Sequence, residues 1–223
     1  MQAPSSGSTL PPGSALPSGA DCAGRAQAGA GRELRPGNDA ANHSVPPAGV
    51  SVPPWQMEGY APEFNRDMIP RIDGRFTGTT DEILAWGACK WGFDADVVRA
   101  MAAEESDWDQ SLAGDLSRNP RDCVGGDTVP CPTSFGIMQV RHTFRPGSYP
   151  YSARHTAFNV DYALGVIRAC YEGWVTYLDN GYQPGDLWGC LGWHFSGEWR
   201  NRSALGYINR VQRSLAAKPW LDW

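Results

Sequence analysis

The sequence predicts a mainly α-helical (α+β) fold with one small β element. Apolar residues recur with helical spacing in several separate stretches after residue 80. One apolar segment, residues 134–140, is too short for a helix. The 223 residues are 41% hydrophobic and 19% charged, which is enough apolar material for a substantial core. The chain length suggests one domain, or one domain with an appendage, and no internal repeat is visible.

Residues 1–55 are rich in Pro, Gly, Ser and Ala and show no apolar periodicity. Such a composition buries too little apolar surface to offset the entropy of ordering, which predicts a tail or linker. Cys22 lies within it, and a disulfide from Cys22 to the core would hold part of this tail in place. Residues 56–79 are interrupted by Pro and Gly, so we expect an irregular segment wrapping a folded domain at 80–223.

Two capped helices are expected to open this domain. The run Thr-Thr-Asp-Glu at 79–82 is typical of a helix N-terminus, and apolar residues then follow helical spacing to Gly92. Asp94 is the expected cap of a second helix. That helix is apolar until it ends on the adjacent carboxylates Glu104 and Glu105.

The second half of the domain should contain the β element and the remaining helices. Residues 109–133 are polar and rich in Gly and Pro, which indicates a loop, and residues 134–140 are predicted to form a strand or one arm of a hairpin. Three further helices are predicted at 158–178, 187–195 and 203–215. A turn at Asn180 and Gly181 separates the first two, and Ser203 should cap the last.

Charge and hydropathy exclude two classes of partner. The formal net charge is −5, whereas a nucleic-acid-binding protein would carry a basic stripe. The longest apolar windows fall far short of the roughly 20 residues needed to cross a bilayer. We therefore expect no nucleic-acid binding and no membrane insertion, and we expect a monomer.

Six cysteines suit three disulfides and a secreted protein. The sequence lacks a basic and apolar leader, so we expect a mature secreted protein whose signal peptide is not part of it. Cys123 and Cys131 flank a loop without clustered histidines, which favours a disulfide over a zinc site and predicts no bound metal or cofactor. The other four cysteines allow three pairings, of which we favour Cys22–Cys89 with Cys170–Cys190.

Glu104 and Glu105 are the first candidates for catalysis. A carboxyl that is half-buried at a helix end has a raised pKa and can donate a proton near neutral pH, whereas one at the solvated rim cannot. Adjacent helical positions point about 100° apart, so only one of the two can face a cleft. Helical spacing alone does not decide between them.

Several motifs together resemble the lysozyme-like superfamily, in particular soluble lytic transglycosylases and goose-type lysozymes. They are Glu105-Ser106 at a helix end, Phe-Gly-Ile-Met-Gln-Val at 135–140, Asn159-Val160 before a long helix, an aromatic Gly-rich helix, and Tyr207 in the last helix. The resemblance covers roughly residues 80–215, in the family's order. It implies a helical domain with a small β-hairpin lobe and a central substrate cleft.

The resemblance also implies roles for individual residues. Glu105 would be the catalytic acid and Glu104 a solvated bystander, and Ser106, beside the acid, is expected to contact the substrate. Met138 and Gln139 would line the cleft near the cleaved bond. The resemblance implies that Tyr207 reaches toward the glutamate and that Asn159 is structural.

Two departures from the family pattern affect these expectations. The family's Ala-Tyr-Asn-Ala-Gly helix is replaced at 192–197, where the aromatic and polar pair becomes Trp193 and His194. The position of His194 in an apolar helix favours a hydrogen-bonded core residue over a catalytic one. Trp193 and Trp108 could be either sugar-binding surfaces or core residues.

The second departure is a long insertion between Glu105 and Gly136, which brings Asp115, Asp122 and Asp127. A hydrolase with two carboxylates needs a base or nucleophile near its acid. A lytic transglycosylase, as the resemblance implies, needs only the acid. Aspartates in such loops usually stabilise turns, and Asp115 is the preferred candidate for a base because its loop follows the acid most closely.

The resulting expectation is a secreted glycosidase that cleaves the β-1,4 bonds of peptidoglycan. It would act as a lytic transglycosylase or a muramidase, with Glu105 as general acid and base and without a cofactor. One alternative is a hydrolase of another N-acetylhexosamine polymer such as chitin. Another is a catalytically silent glycan-binding module, in which Glu105 would be fully exposed or locked in a salt bridge.

Overall fold

A computed structural model describes residues 8–27, 31–179 and 181–223, and it is mainly α-helical with one small sheet. The predicted fold class is confirmed at this level. The α-helices are α1 Gly19–Gln27, α2 Asp39–Asn42, α3 Thr80–Trp91, α4 Ala95–Ser106, α5 Tyr151–Arg154, α6 Thr156–Glu172, α7 Leu187–Ser196 and α8 Arg202–Ala217. The strands are β1 Ala113–Gly114, β2 Ser134–Phe135 and β3 Val140–Arg141. Short 3₁₀ turns lie at Pro36–Asn38, Ile69–Arg71, Pro120–Asp122, His142–Phe144 and Pro219–Leu221, and a π turn lies at Phe64–Met68.

Local capping sets the bounds of α3, as the sequence predicts. The Thr79 side chain accepts a hydrogen bond from the Glu82 N–H, and the Glu82 carboxylate accepts one from the Thr79 N–H. The helix ends at Gly92, whose φ of 68° is left-handed. Because each end is fixed by residues close in sequence, both bounds could be predicted without tertiary information.

Helix α4 follows after a sharp turn and carries the two carboxylates. The Asp94 carboxylate accepts hydrogen bonds from the N–H groups of Asp96 and Val97, which confirms the predicted cap. The helix stops where Asp107 adopts a left-handed φ of 51°. Glu104 and Glu105 therefore occupy its last turn.

Helix α6 is the centre of the molecule, with every residue from Thr156 to Tyr171 buried. It packs against α3, α5 and α7. The predicted extension of this helix to residue 178 is wrong, because Gly173 takes a φ of 95° and the Trp174 N–H turns back to the Ala169 carbonyl. The apolar residues beyond Gly173 are not part of the helix, and they pack against other segments of the chain.

Helix α8 packs against both α4 and α7. Its cap is Asn201, whose side chain accepts a hydrogen bond from the Ala204 N–H, and not the predicted Ser203. Asn201 and Ser203 are both good capping residues, and the observed choice starts the helix two residues earlier than a cap at Ser203 would. Asn180 of the predicted turn at 180–181 lies outside the described residues.

The β lobe is a three-stranded antiparallel sheet with the order β1-β2-β3. The predicted strand at 134–140 is in fact two strands joined by a turn, with Phe135 opposite Val140. Gly136 has a φ of 77°, and a Cβ atom there would lie 2.3 Å from the Asn159 side-chain nitrogen. The glycine therefore lets the hairpin approach α6 closely.

The described part of residues 1–55 is not a free tail. Helix α1 packs on α3, and Cys22 is fully buried in a disulfide with Cys89. The Arg168 guanidinium donates hydrogen bonds to the carbonyls of Leu10 and Pro11. The Cys22 disulfide holds this segment on the core as the favoured pairing implies, and contacts with the rest of the molecule, not local apolar periodicity, order the described part. Residues 1–7 and 28–30 lie outside the described part.

All three favoured disulfides are present: Cys22–Cys89, Cys123–Cys131 and Cys170–Cys190. The last joins the end of α6 to α7, and Cys123–Cys131 closes the insertion. None of the helices within the described residues is long and apolar enough to cross a bilayer.

Candidate active site

Glu105 lies in the last turn of α4, and its side chain is only 7% exposed. Two cavities meet at this residue. One, of about 630 Å³, extends toward α7, and the other, of about 670 Å³, extends toward residues 34–38. These volumes are in the range of ligand-binding pockets. A chain-like ligand could therefore pass on both sides of the Glu105 carboxyl.

The Tyr207 hydroxyl donates a hydrogen bond of 2.6 Å to Glu105 Oε1. Tyr207 is fully buried on α8, and its ring stacks on Phe195 of α7 with centroids 4.5 Å apart and planes only 6° from parallel. The structure therefore places the tyrosine where the resemblance implies. Because the contact joins residues 102 positions apart, it depends on the packing of α8 against α4.

Burial raises the pKa of Glu105 to about 8, because the ionised form is poorly solvated. The hydrogen bond from Tyr207 opposes this rise, and the nearby charge of Asp115 adds to it. In turn, burial and the adjacent Glu105 raise the pKa of Tyr207 far above its usual value, so it remains a proton donor. At pH 7 the Glu105 carboxyl is therefore mainly protonated.

His194 borders Glu105 as a neutral side chain. Its Nε2 lies 3.1 Å from the Met138 carbonyl and 3.9 Å from Glu105 Oε1. Burial and the positive charge of Arg145 lower the pKa of His194 to about 4. The imidazole is therefore uncharged at pH 7 and forms no ion pair with Glu105. A proton on Nε2 satisfies the Met138 carbonyl and leaves the buried Nδ1 without a partner in the described structure.

Glu104 points to a different part of α8. Its carboxylate accepts a hydrogen bond from the Ser214 hydroxyl and lies 3.3 Å from Nε of Arg210. The expectation of a simply solvated Glu104 is therefore corrected, because α8 provides it with a cation and a hydroxyl. The two adjacent carboxyls thus differ, with Glu104 ion-paired and Glu105 buried without a cationic partner.

The first cavity is lined by residues of the 57–60 segment, the end of α4, the insertion, the hairpin and the segment after it, Tyr177, and the end of α7. Acidic, basic and aromatic side chains all contribute. The lining residues are Met57, Glu58, Tyr60, Glu104, Glu105, Asp115, Gln139, Arg141, Phe144, Arg145, Tyr177, Trp193, His194, Phe195, Ser196, Gly197 and Glu198. Tyr177 and Phe144 are each about half exposed, at 49% and 50%, and offer apolar ring faces.

Of the three candidate aspartates Asp115, Asp122 and Asp127, only Asp115 lines this cavity. Asp115 is exposed and accepts a hydrogen bond from the Ser134 hydroxyl. Asp122 instead binds Ser117 and Asn119 within its own loop, the turn-stabilising role that is usual for loop aspartates. Asp127 is exposed away from the cavity.

Three of the predicted binding residues support the hairpin or line the cavity beside it. Gln139 lines the cavity, and its side-chain N–H groups donate to the carbonyls of Gly136 and Leu112. The side chain of Met138 is buried, which leaves it no surface in the cleft. Ser106 is also buried and donates a hydrogen bond to the Ile137 carbonyl, so it joins α4 to the hairpin. The expected ligand contacts of Met138 and Ser106 are corrected to structural roles.

The two candidate tryptophans, Trp108 and Trp193, lie in different surroundings. Trp108 is fully buried, stacks on Trp220 and donates its indole N–H to the Arg99 carbonyl. It therefore has no face to offer a sugar, and the prediction of a binding role is wrong. Trp193 lines the cavity, although it is only 1% exposed, and its indole N–H donates to the Tyr177 hydroxyl.

Several cavity residues were missed from the sequence, notably Tyr60, Phe144, Arg145 and Tyr177. They lie in segments without regular periodicity and meet only in the folded chain. The position of Phe144 and Arg145 directly after the hairpin was the one available signal. Within the described segments, no three His, Cys, Asp or Glu side chains cluster as metal ligands would.

Comparison with known proteins adds no assignment to this geometry. No protein-family model matches the chain, and no curated protein matches it significantly.

Proposed function

We propose that this protein cleaves the β-1,4 glycosidic bonds of peptidoglycan, as a lytic transglycosylase or a muramidase, with Glu105 as general acid. The observation that carries the proposal is a buried carboxyl, placed where two cavities meet, whose pKa is raised to about 8 by that burial. A group protonated at neutral pH can donate to a leaving oxygen, and its position between two cavities suits cleavage within a chain.

The two oxygens of Glu105 have different surroundings. Oε1 accepts the Tyr207 hydrogen bond, whereas Oε2 has no hydrogen-bond partner within the described residues. In the proposed reaction the Glu105 proton passes to the glycosidic oxygen as the bond to the sugar breaks. The resulting carboxylate, hydrogen-bonded by Tyr207, then takes a proton from the sugar's own 6-hydroxyl or from water, and the oxygen that loses the proton forms the new bond to C1 of the sugar.

A hydrolase and a lyase differ in the group that acts after Glu105 has donated its proton: a base that activates water in a hydrolase, and the sugar's own 6-hydroxyl in a lyase. Asp115 is the one aspartate of the insertion that lines the cavity, and it would serve a hydrolase as base. A lyase would need no such residue and would release 1,6-anhydro sugars. Mass spectrometry of products from the natural protein and from Asp115→Asn tests this. Hydrolysis with Asp115 as base loses most of its rate in the variant, whereas a lyase, or a hydrolase in which Glu105 itself activates the water, keeps its activity; the 1,6-anhydro product separates these two.

Glu105→Gln is expected to lower the rate of peptidoglycan cleavage by about 10²–10⁴-fold while the fold is retained, because the amide cannot donate the proton. Release of soluble fragments measures the rate, and circular dichroism checks the fold. Glu104→Gln is the matched control and should lose less than about tenfold, since Glu104 is held by Arg210 and Ser214. Full activity of Glu105→Gln would refute the assignment.

The same assay also tests the two alternatives, a chitin hydrolase and a non-catalytic glycan-binding module. A chitin hydrolase would release fragments from chitin in preference to peptidoglycan. A silent binding module would need Glu105 to be fully exposed or locked in a salt bridge, and the observed burial beside a neutral His194 supports catalysis instead. Three disulfides are typical of proteins in oxidising compartments, which supports the proposed secretion and access to cell walls.

A further inference from the structure

Arg145 lies in the wall of the first cavity. Among the described residues, no carboxylate forms an ion pair with its guanidinium. Its guanidinium lies 5.6 Å from the ring centroid of Trp55 and 5.3 Å from that of Trp193. It donates a hydrogen bond to the Phe144 carbonyl, at 3.2 Å, and contacts the Tyr60 hydroxyl. These contacts orient the group by stacking, and they leave its charge available to a ligand.

A second cation lies on the same wall. Arg141, at the end of β3, has its guanidinium 4.9 Å from the Phe144 ring centroid and likewise forms no ion pair with a described residue. Both arginines line the cavity, with Arg141 over the exposed Phe144 ring and Arg145 bonded to the Phe144 carbonyl. An exposed aromatic ring with guanidinium groups beside it suits a sugar that carries a negatively charged substituent.

The carboxylates of the same cavity mostly have other partners. Glu104 is held by Arg210, Asp115 accepts from Ser134, and Glu198 accepts from Asn201. Glu105 is protonated near neutral pH because burial raises its pKa to about 8. The arginine wall is therefore free to receive an anion that the ligand brings.

We propose that Arg145, supported by Arg141, binds a carboxylate of the glycan and makes the site selective for peptidoglycan over neutral N-acetylglucosamine polymers. This inference rests on the proposed function and deepens it. Two sources share this chemistry, namely the lactyl ether of N-acetylmuramic acid and the carboxylates of the attached peptides. A guanidinium can bind either through two parallel hydrogen bonds.

Binding is measured in the Glu105→Gln background, so that turnover does not deplete the ligand. The probes are a peptide-free glycan of alternating N-acetylglucosamine and N-acetylmuramic acid, the same glycan with its peptides, and chitotetraose. Adding Arg145→Gln should weaken binding of the carboxylated glycans by about 10- to 100-fold, because a charge-assisted hydrogen bond is lost. Chitotetraose binding should change by less than about twofold.

Two controls separate charge recognition from damage to the cavity wall. Methyl esterification of the lactyl carboxylate should weaken binding to the protein that retains Arg145. The Arg145→Gln substitution should then cause no further loss of affinity for the ester. Arg145→Lys should restore part of the affinity, since the charge returns without the planar fork. Arg213→Gln, an exposed change of charge on α8 away from the cavity, should leave all affinities unchanged.

Each outcome decides one question. A loss seen with the peptide-free glycan assigns the lactyl carboxylate, and a loss confined to the peptide-bearing glycan assigns a peptide carboxylate; both support the inference. Equal losses for chitotetraose and the carboxylated glycans would overturn it and leave the proposed function standing. Failure of every glycan to bind would overturn both.

Discussion

The two carboxyls at the end of α4 differ because α8 offers them different neighbours. Glu104 meets Arg210 and Ser214, whereas Glu105 meets the Tyr207 hydroxyl and is otherwise enclosed. A cation stabilises an ionised carboxylate, and burial without a cation favours the protonated acid. One turn of helix therefore presents an ion-paired carboxylate and a protonated carboxyl side by side.

The pH dependence of activity should follow the state of Glu105. Its pKa is raised by burial to about 8, so the acid is protonated below that pH and activity should fall as the pH rises through it. The Tyr207 hydrogen bond favours the carboxylate and holds the pKa down. Tyr207→Phe should therefore move the alkaline limb of the kcat/KM profile to higher pH.

Tyr182→Phe is the matched control for this measurement. Tyr182 also donates a hydrogen bond, to the Cys170 carbonyl, but it does not line the cavity. Its removal should leave the alkaline limb in place. An alkaline limb that moves to lower pH in Tyr207→Phe would contradict the proposed pairing with Glu105.

At the scale of elements, one asparagine of α6 positions the hairpin. The Asn159 side chain accepts from the Met138 N–H and donates to the carbonyls of Phe135 and Ser152. These bonds hold the turn that carries Gln139 against the central helix. The structural role that the resemblance implies for Asn159 thus has a direct physical basis.

Asn159→Ala should destabilise the fold by about 2–3 kcal/mol, because it leaves buried backbone groups without partners. It should also lower activity, since the hairpin is no longer held at the cavity. Urea denaturation and kcat/KM measure the two effects. Asn119→Ala, in the exposed insertion, should cost less than about 1 kcal/mol and leave activity near its original value. Equal stability losses in the two variants would exclude the anchoring role.

At the scale of the whole molecule, the N-terminal segment is fixed to the helical core. The Leu10 N–H donates to the Gly92 carbonyl, and the buried Arg168 pairs with Glu172 while bonding the segment's carbonyls. Residues 34–38 further along line the second cavity next to Glu105. Part of the predicted tail therefore contributes to the candidate site.

Replacement of both Cys22 and Cys89 by serine should lower the free energy of unfolding by about 4 kcal/mol, because the disulfide closes a loop of 67 residues in the unfolded chain. The Cys123–Cys131 disulfide closes a loop of only 8 residues, so the same replacement there should cost about 2.5 kcal/mol. Denaturation midpoints under non-reducing conditions compare the two. A larger loss at Cys123 and Cys131 would contradict the loop-closure argument.

The sequence by itself determined the elements whose ends are fixed by near neighbours, such as α3 and α4, together with the helical class. It favoured the observed disulfides but left three pairings open for four of the cysteines. It also identified Glu105, Gln139 and Tyr207, which the structure brings to one place. The sequence did not reveal the end of α6 or the burial of Trp108, because packing between distant segments sets both. Tertiary structure likewise decided the different surroundings of Glu104 and Glu105 and the unpaired Arg145. The charge state and exposure of a side chain depend on neighbours that only folding brings together.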